Sequence, residues 1–304
     1  MKPMTRYLTT IAATCLIFSS VMADDWERLA PMPTARSEMS AAVWGNVIYV
    51  PGGLGGSRSF EAYDTLKGQW IELPQMPEGR HHIAIAAYKA KLYVFGGADG
   101  SWRASDSSFV FDIQTGQWSR VAPMPAVRYA AGAAVIGSQI YVVGGDGPGG
   151  HTLRYDPASN RWKELAAPRI RREHTTVVEN NGQLVLIGGR WPGVGELANV
   201  EIYDPATDNW REAPELAVAR GGFTAVNHHN RIYAFGGEVM ITGSETLASV
   251  EQLTAKGWKP ATPMPRALHG VPVVSLNDYI YVLGGSQRAG AIVNDGQTFR
   301  SNRY

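Results

Sequence analysis

The sequence predicts an all-β fold assembled from six copies of one four-stranded unit, and three observations carry this prediction. Glycine pairs that close an apolar run recur every 44 or 48 residues, beginning at Gly52, Gly96, Gly144, Gly188, Gly236 and Gly284. A tryptophan lies 26 residues before each pair, at Trp26, Trp70, Trp118, Trp162, Trp210 and Trp258. Around these markers, short alternating segments separated by Pro, Gly and Asn turns indicate four antiparallel strands, a to d, in each unit. Six such units at this period are typical of the blades of a six-bladed β-propeller.

Each unit repeats the same order of strands. Strand a follows a Met-Pro turn, as in YAAGAAVI, and strand b ends in the glycine pair, as in IYVVGG. Strand c ends in Tyr-Asp, as in TLRYD, and strand d carries the tryptophan, as in RWKEL. The glycines permit a sharp turn and close approach of neighbouring backbones, and the regular tryptophans indicate packing between blades.

In these features the chain resembles the Kelch-repeat family, whose repeats place the glycine pair, Tyr-Asp and Trp at the same points. The resemblance covers residues 24–304 and implies a six-bladed Kelch propeller. Trp26 has no glycine pair before it, and the pair at Gly284 has no tryptophan after it. The last blade therefore lacks strand d, and we expect the N-terminal segment DWERLAP to supply it and close the ring, which leaves no open sheet edge.

The first 23 residues are predicted to be a secretory signal peptide. They contain Lys2 and Arg6, an apolar run from Leu8 to Phe18, and small residues that end at Ala23. That run is too short to span a bilayer, and no other stretch is long enough, so we expect no membrane span. The propeller would then be secreted or periplasmic after cleavage near Ala23. The absence of an Asn-x-Ser/Thr sequon favours a bacterial periplasm.

Charge and cysteine content exclude several classes of protein. The chain has 28 Lys and Arg against 27 Asp and Glu, and without Lys2 and Arg6 the balance is 26 to 27. A charge so near zero gives no electrostatic reason to expect a nucleic acid partner. The only cysteine, Cys15, lies in the predicted signal peptide. The cysteine-linked copper site of galactose oxidase, another Kelch propeller, is therefore excluded, as is any thiolate nucleophile. The Glu-x-x-x-Asp-x-x-x-His pattern of iron-using specifier proteins, a G-x-S-x-G motif and a P-loop are absent.

Propeller topology places the d-to-a and b-to-c connections on one face, here called the mouth. Five blades carry arginine 16 positions before the glycine pair, at Arg36, Arg80, Arg128, Arg172 and Arg220. These arginines have two interpretations. They can serve the scaffold by capping carbonyls or pairing with acids, or they can concentrate positive potential that binds an acidic ligand.

The next two positions in each blade depart from the repeat. Polar side chains stand there at Glu38, His81, His82, Tyr129, Glu173, His174 and His269. Ligand-binding Kelch propellers commonly use these positions, together with b-to-c loop residues such as Trp102, Arg190 and Glu238 here. We therefore predict a ligand site at the mouth, with a solvated rim as the alternative. No compact His or carboxylate spacing indicates a metal or another cofactor. The distances between possible metal ligands on different blades cannot be predicted from sequence.

Two functions remain open. The first is a monomeric binding module for a protein segment or small acidic ligand, and the second is a sugar mutarotase or epimerase, by resemblance to the periplasmic N-acetylneuraminate epimerase. No catalytic residue is assigned. Met240 and Ile241 are predicted on a long loop of blade 5, where they either plug the mouth or contact a partner.

Overall fold

A computed structural model describes residues 25–54, 58–240, 244–290 and 294–304. The predicted signal peptide, residues 1–23, and Ile241 lie outside these residues. Every regular element in the described part is a β-strand. Nothing among the described residues forms a helix that could cross a membrane.

The strands form six antiparallel four-stranded blades, and the N-terminal strand β1 is Glu27–Leu29. Blade 1 contains β2 (Ala42–Trp44), β3 (Val47–Pro51), β4 (Phe60–Asp64) and β5 (Gln69–Glu72). Blade 2 contains β6 (Ala84–Tyr88), β7 (Lys91–Phe95), β8 (Ser108–Asp112) and β9 (Gln117–Val121). Blade 3 contains β10 (Tyr129–Ile136), β11 (Gln139–Asp146), β12 (Thr152–Asp156) and β13 (Arg161–Leu165).

Blades 4 and 5 each carry an additional short hairpin in the b-to-c loop. Blade 4 contains β14 (Thr176–Asn180), β15 (Gln183–Ile187), the hairpin of β16 (Arg190–Trp191) and β17 (Gly195–Glu196), β18 (Val200–Asp204) and β19 (Asn209–Ala213). Blade 5 contains β20 (Thr224–His228), β21 (Arg231–Phe235), the hairpin of β22 (Glu238–Val239) and β23 (Glu245–Thr246), β24 (Val250–Thr254) and β25 (Gly257–Ala261). Blade 6 contains β26 (Val273–Leu276), β27 (Tyr279–Leu283), β28 (Thr298–Ser301) and β1.

The ring closes through the N-terminal strand, as the tryptophan and glycine count predicts. Strand β1 pairs antiparallel with β28, with Glu27 opposite Arg300 and Leu29 opposite Thr298. Trp26 donates from Nε1 to the carbonyl of Pro263 in blade 5 at 2.8 Å, and its side chain is buried. The first and last strands of the propeller therefore share one sheet, and the prediction of closure is confirmed.

The tryptophans join neighbouring blades. Each repeat tryptophan donates from Nε1 to a carbonyl of the preceding blade connection, at Pro263, Ala30, Pro74, Ala122, Ala166 and Pro214. The rings also pack on aromatic side chains, as in the contact of Trp162 with Phe95 at 5.0 Å between centroids. An indole that packs between two blades places its N–H beside the neighbouring blade connection, and that connection supplies the acceptor.

Candidate functional site at the channel mouth

Three arginines of the predicted register are buried inside their own blades. Arg36, Arg172 and Arg220 are no more than 1% exposed. Each donates to the carbonyl of the first glycine of its own pair and to a glutamate at the second position of strand c. These ion pairs are Arg36 with Glu61, Arg172 with Glu201, and Arg220 with Glu251.

The other two arginines have no glutamate at that position of strand c. Arg128 donates to the carbonyls of Gly144 at 3.0 Å and His151 at 2.9 Å, and burial lowers its pKa to about 10. Arg80 instead pairs with Glu78 at 2.5 Å. The hydrogen bonds described for all five guanidinium groups are made within the scaffold. This geometry agrees with the scaffold interpretation of the register, and ligand binding by these groups stays an untested prediction.

A ring of left-handed residues surrounds the axis two positions after the arginine register. All six have φ between 50° and 61°, and they are Glu38, His82, Ala130, His174, Gly222 and Gly270. Five backbone N–H groups donate to the carbonyl of the preceding blade's ring residue, at 2.7 to 3.0 Å. Neighbouring blades are thus joined by backbone hydrogen bonds at the mouth.

Three ring positions carry a carboxylate or imidazole side chain, and these side chains converge near the axis. We call Glu38, His82 and His174 the central cluster. His82 Nε2 lies 3.0 Å from Glu38 Oε2 and 2.8 Å from His174 Nε2. The remaining positions are small, and a Cβ on Gly270 would lie 2.6 Å from Glu38 Cδ. The small residues therefore leave the space that the glutamate and imidazoles occupy.

Buried charged groups hold His174 in place. Its Nδ1 donates to Glu173 Oε2, and its Nε2 accepts from Arg190 NH2 at 2.9 Å. Arg190 also donates to Glu173 at 2.8 Å and to Glu238 at 2.5 Å. Burial of the Glu173 carboxyl opposes its ionisation, yet hydrogen bonds and charges from His174 and Arg190 lower its pKa.

His269 balances the carboxylates on the opposite side of the cluster. Its Nδ1 lies 3.2 Å from Glu38 Oε1 and 3.5 Å from Glu238 Oε2, while its Nε2 donates to the carbonyl of Arg288. Burial opposes the imidazolium, but Glu38 and Glu238 raise the His269 pKa. Burial likewise opposes the charge of Glu38, and its two histidine neighbours hold its pKa well below the usual value.

Aromatic side chains form the rim outside the cluster. The ring of His81 lies 4.6 Å from that of Trp102, and Trp102 lies 6.3 Å from Tyr129. Burial and the charge of Asp146 raise the pKa of Tyr129 to about 12, so its hydroxyl donates to Asp146 at 3.1 Å. Burial and the adjacent His82 lower the His81 pKa to about 4, which keeps that imidazole neutral near pH 7.

A cavity of 380 Å³ runs along the a strands behind the central cluster. Glu38, His82 and His174 line it together with alanine, valine and threonine side chains. The volume falls within the range of small-molecule sites, roughly 300 to 1,000 Å³, and the wall combines apolar surface with a few polar groups.

The structure brings together most of the predicted site residues other than the arginines. Glu38, His82, Glu173, His174 and His269 share one network, and His81 and Tyr129 lie beside it. Sequence reasoning placed Arg190 and Glu238 on mouth loops but did not assign them to the site. Each directly follows a glycine pair, where the residue forms a backbone bridge to the position after the register arginine.

Two further histidines and a loop methionine lie away from the central cluster. His228 and His229 lie at the turn between β20 and β21, on the face opposite the mouth. Met240 is 43% exposed, and its Sδ lies 3.0 Å from Arg190 NH1. It contacts the mouth network and still presents surface to solvent, so both interpretations of this loop remain open.

Comparisons with known proteins agree with this architecture. A Kelch motif profile matches residues 35–77, and the profile of the KLHDC2/KLHL20/DRC7 Kelch-repeats domain matches residues 62–237. None of the curated proteins compared with the chain matches it. The solved structure of YjhT superposes with a TM-score of 0.79 at 16% identity, over 89% of this chain and 95% of that one. At this identity the likeness concerns the fold alone. With more than half of its length matched by the domain profile, the chain belongs to the family of the KLHDC2/KLHL20/DRC7 Kelch-repeats domain.

Proposed function

We propose that this chain is an exported Kelch propeller that binds a small acidic ligand or an acidic protein segment at the mouth, without chemistry of its own. The observation that carries this proposal is Trp102. Its side chain is 53% exposed, and its backbone has a φ of 60°, which is strained for a bulky residue. Such strain concentrates at functional positions, where the surrounding structure enforces it.

The loop around Trp102 is built to hold this conformation. Asp99 Oδ1 accepts from the backbone N–H groups of Ser101 and Arg103, and the carbonyl of Asp99 accepts from Trp102 N at 2.9 Å. These backbone hydrogen bonds lower the pKa of Asp99 to about 2. The backbone of Trp102 is therefore held in one conformation, and its indole contacts the rings of His81 and His82, where a ligand can stack on it at a low entropic cost.

The preference for an acidic ligand rests on the exposed charges of the mouth. Glu38, Glu173 and Glu238 are buried, and each already lies within 3.2 Å of Arg190 or His269. Arg171 and Arg288 are exposed on the same face, and Arg171 lies over the ring of Trp191 at 4.5 Å. Exposed guanidinium groups beside an aromatic platform suit a carboxylate with an apolar or planar neighbour.

Replacing Trp102 with alanine should weaken ligand binding at least about tenfold without unfolding the propeller, because buried aromatic contacts dominate binding energies. Acidic and neutral sugars and peptides would be screened by thermal shift, and the affinity of each hit measured by calorimetry. Trp44→Ala is the matched control, since Trp44 is 40% exposed at the a-to-b turn of blade 1 on the opposite face.

Arg171→Ala should selectively weaken the binding of acidic ligands. Arg231→Ala, on the opposite face, is its control. Equal loss in Trp102→Ala and Trp44→Ala, or a preference for neutral ligands, would contradict the proposal.

A sugar mutarotase or epimerase is the second candidate, and the cavity favours it. A monosaccharide fits within 380 Å³, and a carboxylate and two imidazoles lie at the cavity wall, where proton transfer to a sugar would need them. Saturation-transfer NMR of anomeric exchange in acidic and neutral sugars tests this candidate. Exchange accelerated by the wild-type chain and not by Glu38→Gln would establish an enzyme, whereas equal exchange with and without protein would remove this candidate.

A further inference from the structure

We propose that the central cluster binds one divalent transition-metal ion through a carboxylate oxygen of Glu38 and the Nε2 atoms of His82 and His174. This inference goes beyond ligand binding at the rim and does not depend on it. The three donor atoms come from three different blades and lie within 4.8 Å of one another. All three side chains are at least nine-tenths buried.

Two of the three separations between the ligand atoms are close to those around a single ion. Two atoms that each lie about 2.1 Å from one metal are roughly 3.0 to 3.4 Å apart, for angles at the metal between 90° and tetrahedral. The observed separations from His82 Nε2 are 2.8 Å to His174 Nε2 and 3.0 Å to Glu38 Oε2. Small adjustments of the side chains would therefore place an ion between them.

The hydrogen bonds leave no proton between these atoms when the imidazoles are neutral. His81 Nε2 faces the carbonyl of Asp99 at 2.9 Å and must donate to it, so His81 Nδ1 accepts from His82 Nδ1. His174 Nδ1 faces the carboxylate of Glu173 and must donate to it. The Nε2 atoms of His82 and His174 then both carry lone pairs, and both point toward the cluster.

Converging lone pairs in a buried site suit a bound cation. His82 Nε2 faces two acceptors, Glu38 Oε2 and His174 Nε2, and neither supplies a hydrogen. A metal ion would accept a lone pair from each of these three ligand atoms.

The residues that hydrogen-bond to the proposed ligands resemble those that orient the ligands of known metal sites. A carboxylate behind a ligating histidine fixes its tautomer and raises its basicity, and Glu173 does this for His174. His81 fixes the tautomer of His82 in the same way. Arg190 donates to His174 Nε2 at 2.9 Å and would have to release that one contact, while its bonds to Glu173 and Glu238 keep it in place.

Imidazole and carboxylate donors select zinc, iron or cobalt over calcium or magnesium. Three protein ligands leave further coordination positions open, as in catalytic or ligand-binding metal sites. Because the three donors also line the cavity, an ion held by them would be open to a molecule that enters it.

The test measures binding of Zn²⁺ and Co²⁺ to the full chain after removal of metal with a chelator. Calorimetry and elemental analysis should give one ion per chain. His82→Asn and His174→Asn should weaken binding at least about 100-fold, and Glu38→Gln should weaken it strongly. Asparagine tolerates the left-handed backbone that these positions require, so the variants should fold. His229→Asn is the matched control, since His229 also has a φ of 50° but lies on the opposite face.

A further variant separates support of a ligand from direct coordination. Glu173→Gln should weaken ion binding about 10- to 100-fold, because Glu173 supports His174 without contacting the metal. A wild-type chain that binds no stoichiometric ion, or loss of binding in His229→Asn, would overturn the proposal and favour a proton on His82 that donates to Glu38 instead.

Discussion

Replacing Arg172 with alanine is expected to lower the free energy of unfolding by about 3 to 5 kcal/mol, because the substitution leaves a buried carboxylate without its partner. Arg172 and Glu201 both have side chains no more than 1% exposed. The guanidinium also donates to the carbonyls of Gly188 and Asn199, which join the ends of strands b and c. Equilibrium unfolding in urea, followed by tryptophan fluorescence, measures the loss.

Arg80→Ala is the matched control from the same repeat position. Glu78 keeps its contacts with Arg120 and Ser107 when Arg80 is removed, so no charge is left unpaired. We expect a loss of only about 1 kcal/mol. Equal losses in the two variants would contradict the scaffold role assigned to the buried arginines.

Removing residues 25–30 should destabilise the whole ring. The deletion takes away the pairing of β1 with β28 and the buried indole of Trp26, and it exposes an edge of blade 6. Loss of the tryptophan alone costs about 3 to 5 kcal/mol, which corresponds to a fall in Tm of roughly 10 °C. Circular dichroism during heating measures this, and we expect the deletion to be at least as severe as Trp26→Ala.

Arg28→Ala is the control for this experiment, since Arg28 lies in the same strand with its side chain exposed. It should leave the melting temperature almost unchanged. A truncated chain that melts with the wild type would show that the N-terminal strand does not close the ring.

The architecture could be predicted because the same sequence pattern occurs six times in the chain. Trp26 without a preceding glycine pair, and Gly284 without a following tryptophan, were sufficient to predict a shared last blade. The short hairpins of β16 with β17 and of β22 with β23 were not predicted, because they lie in loops whose length varies between blades and whose pairs are only two residues long.

The direction of the register arginines could not be read from spacing, which places a residue on a face but does not orient its side chain. The partner residues carried a usable sequence signal. Arg36, Arg172 and Arg220 occur in blades with glutamate at the second position of strand c, whereas the blade with Leu268 has Phe299 there. An arginine and a glutamate that occur together in some repeats, and are both apolar in another, indicate a pair within the blade.

The central cluster shows how much of the site could be predicted from the sequence. Glu38, His82 and His174 were identified because they depart from the repeat, and topology placed them on one face. Their mutual distances depend on how six blades pack around one axis, and no local spacing contains that information. Arg190 was recognised only as a loop residue, although it replaces the small or apolar residue that follows the glycine pair in blades 1 and 2.

If ligand atoms from three blades converge on one functional point at the mouth, they should hold one ion in crystals of the full chain grown with Zn²⁺. Anomalous X-ray diffraction at the zinc edge locates that ion. We predict one principal peak, about 2.0 to 2.2 Å from a Glu38 carboxylate oxygen and from the Nε2 atoms of His82 and His174. A principal peak at His228 and His229 on the opposite face, or no peak at the mouth, would contradict the claim.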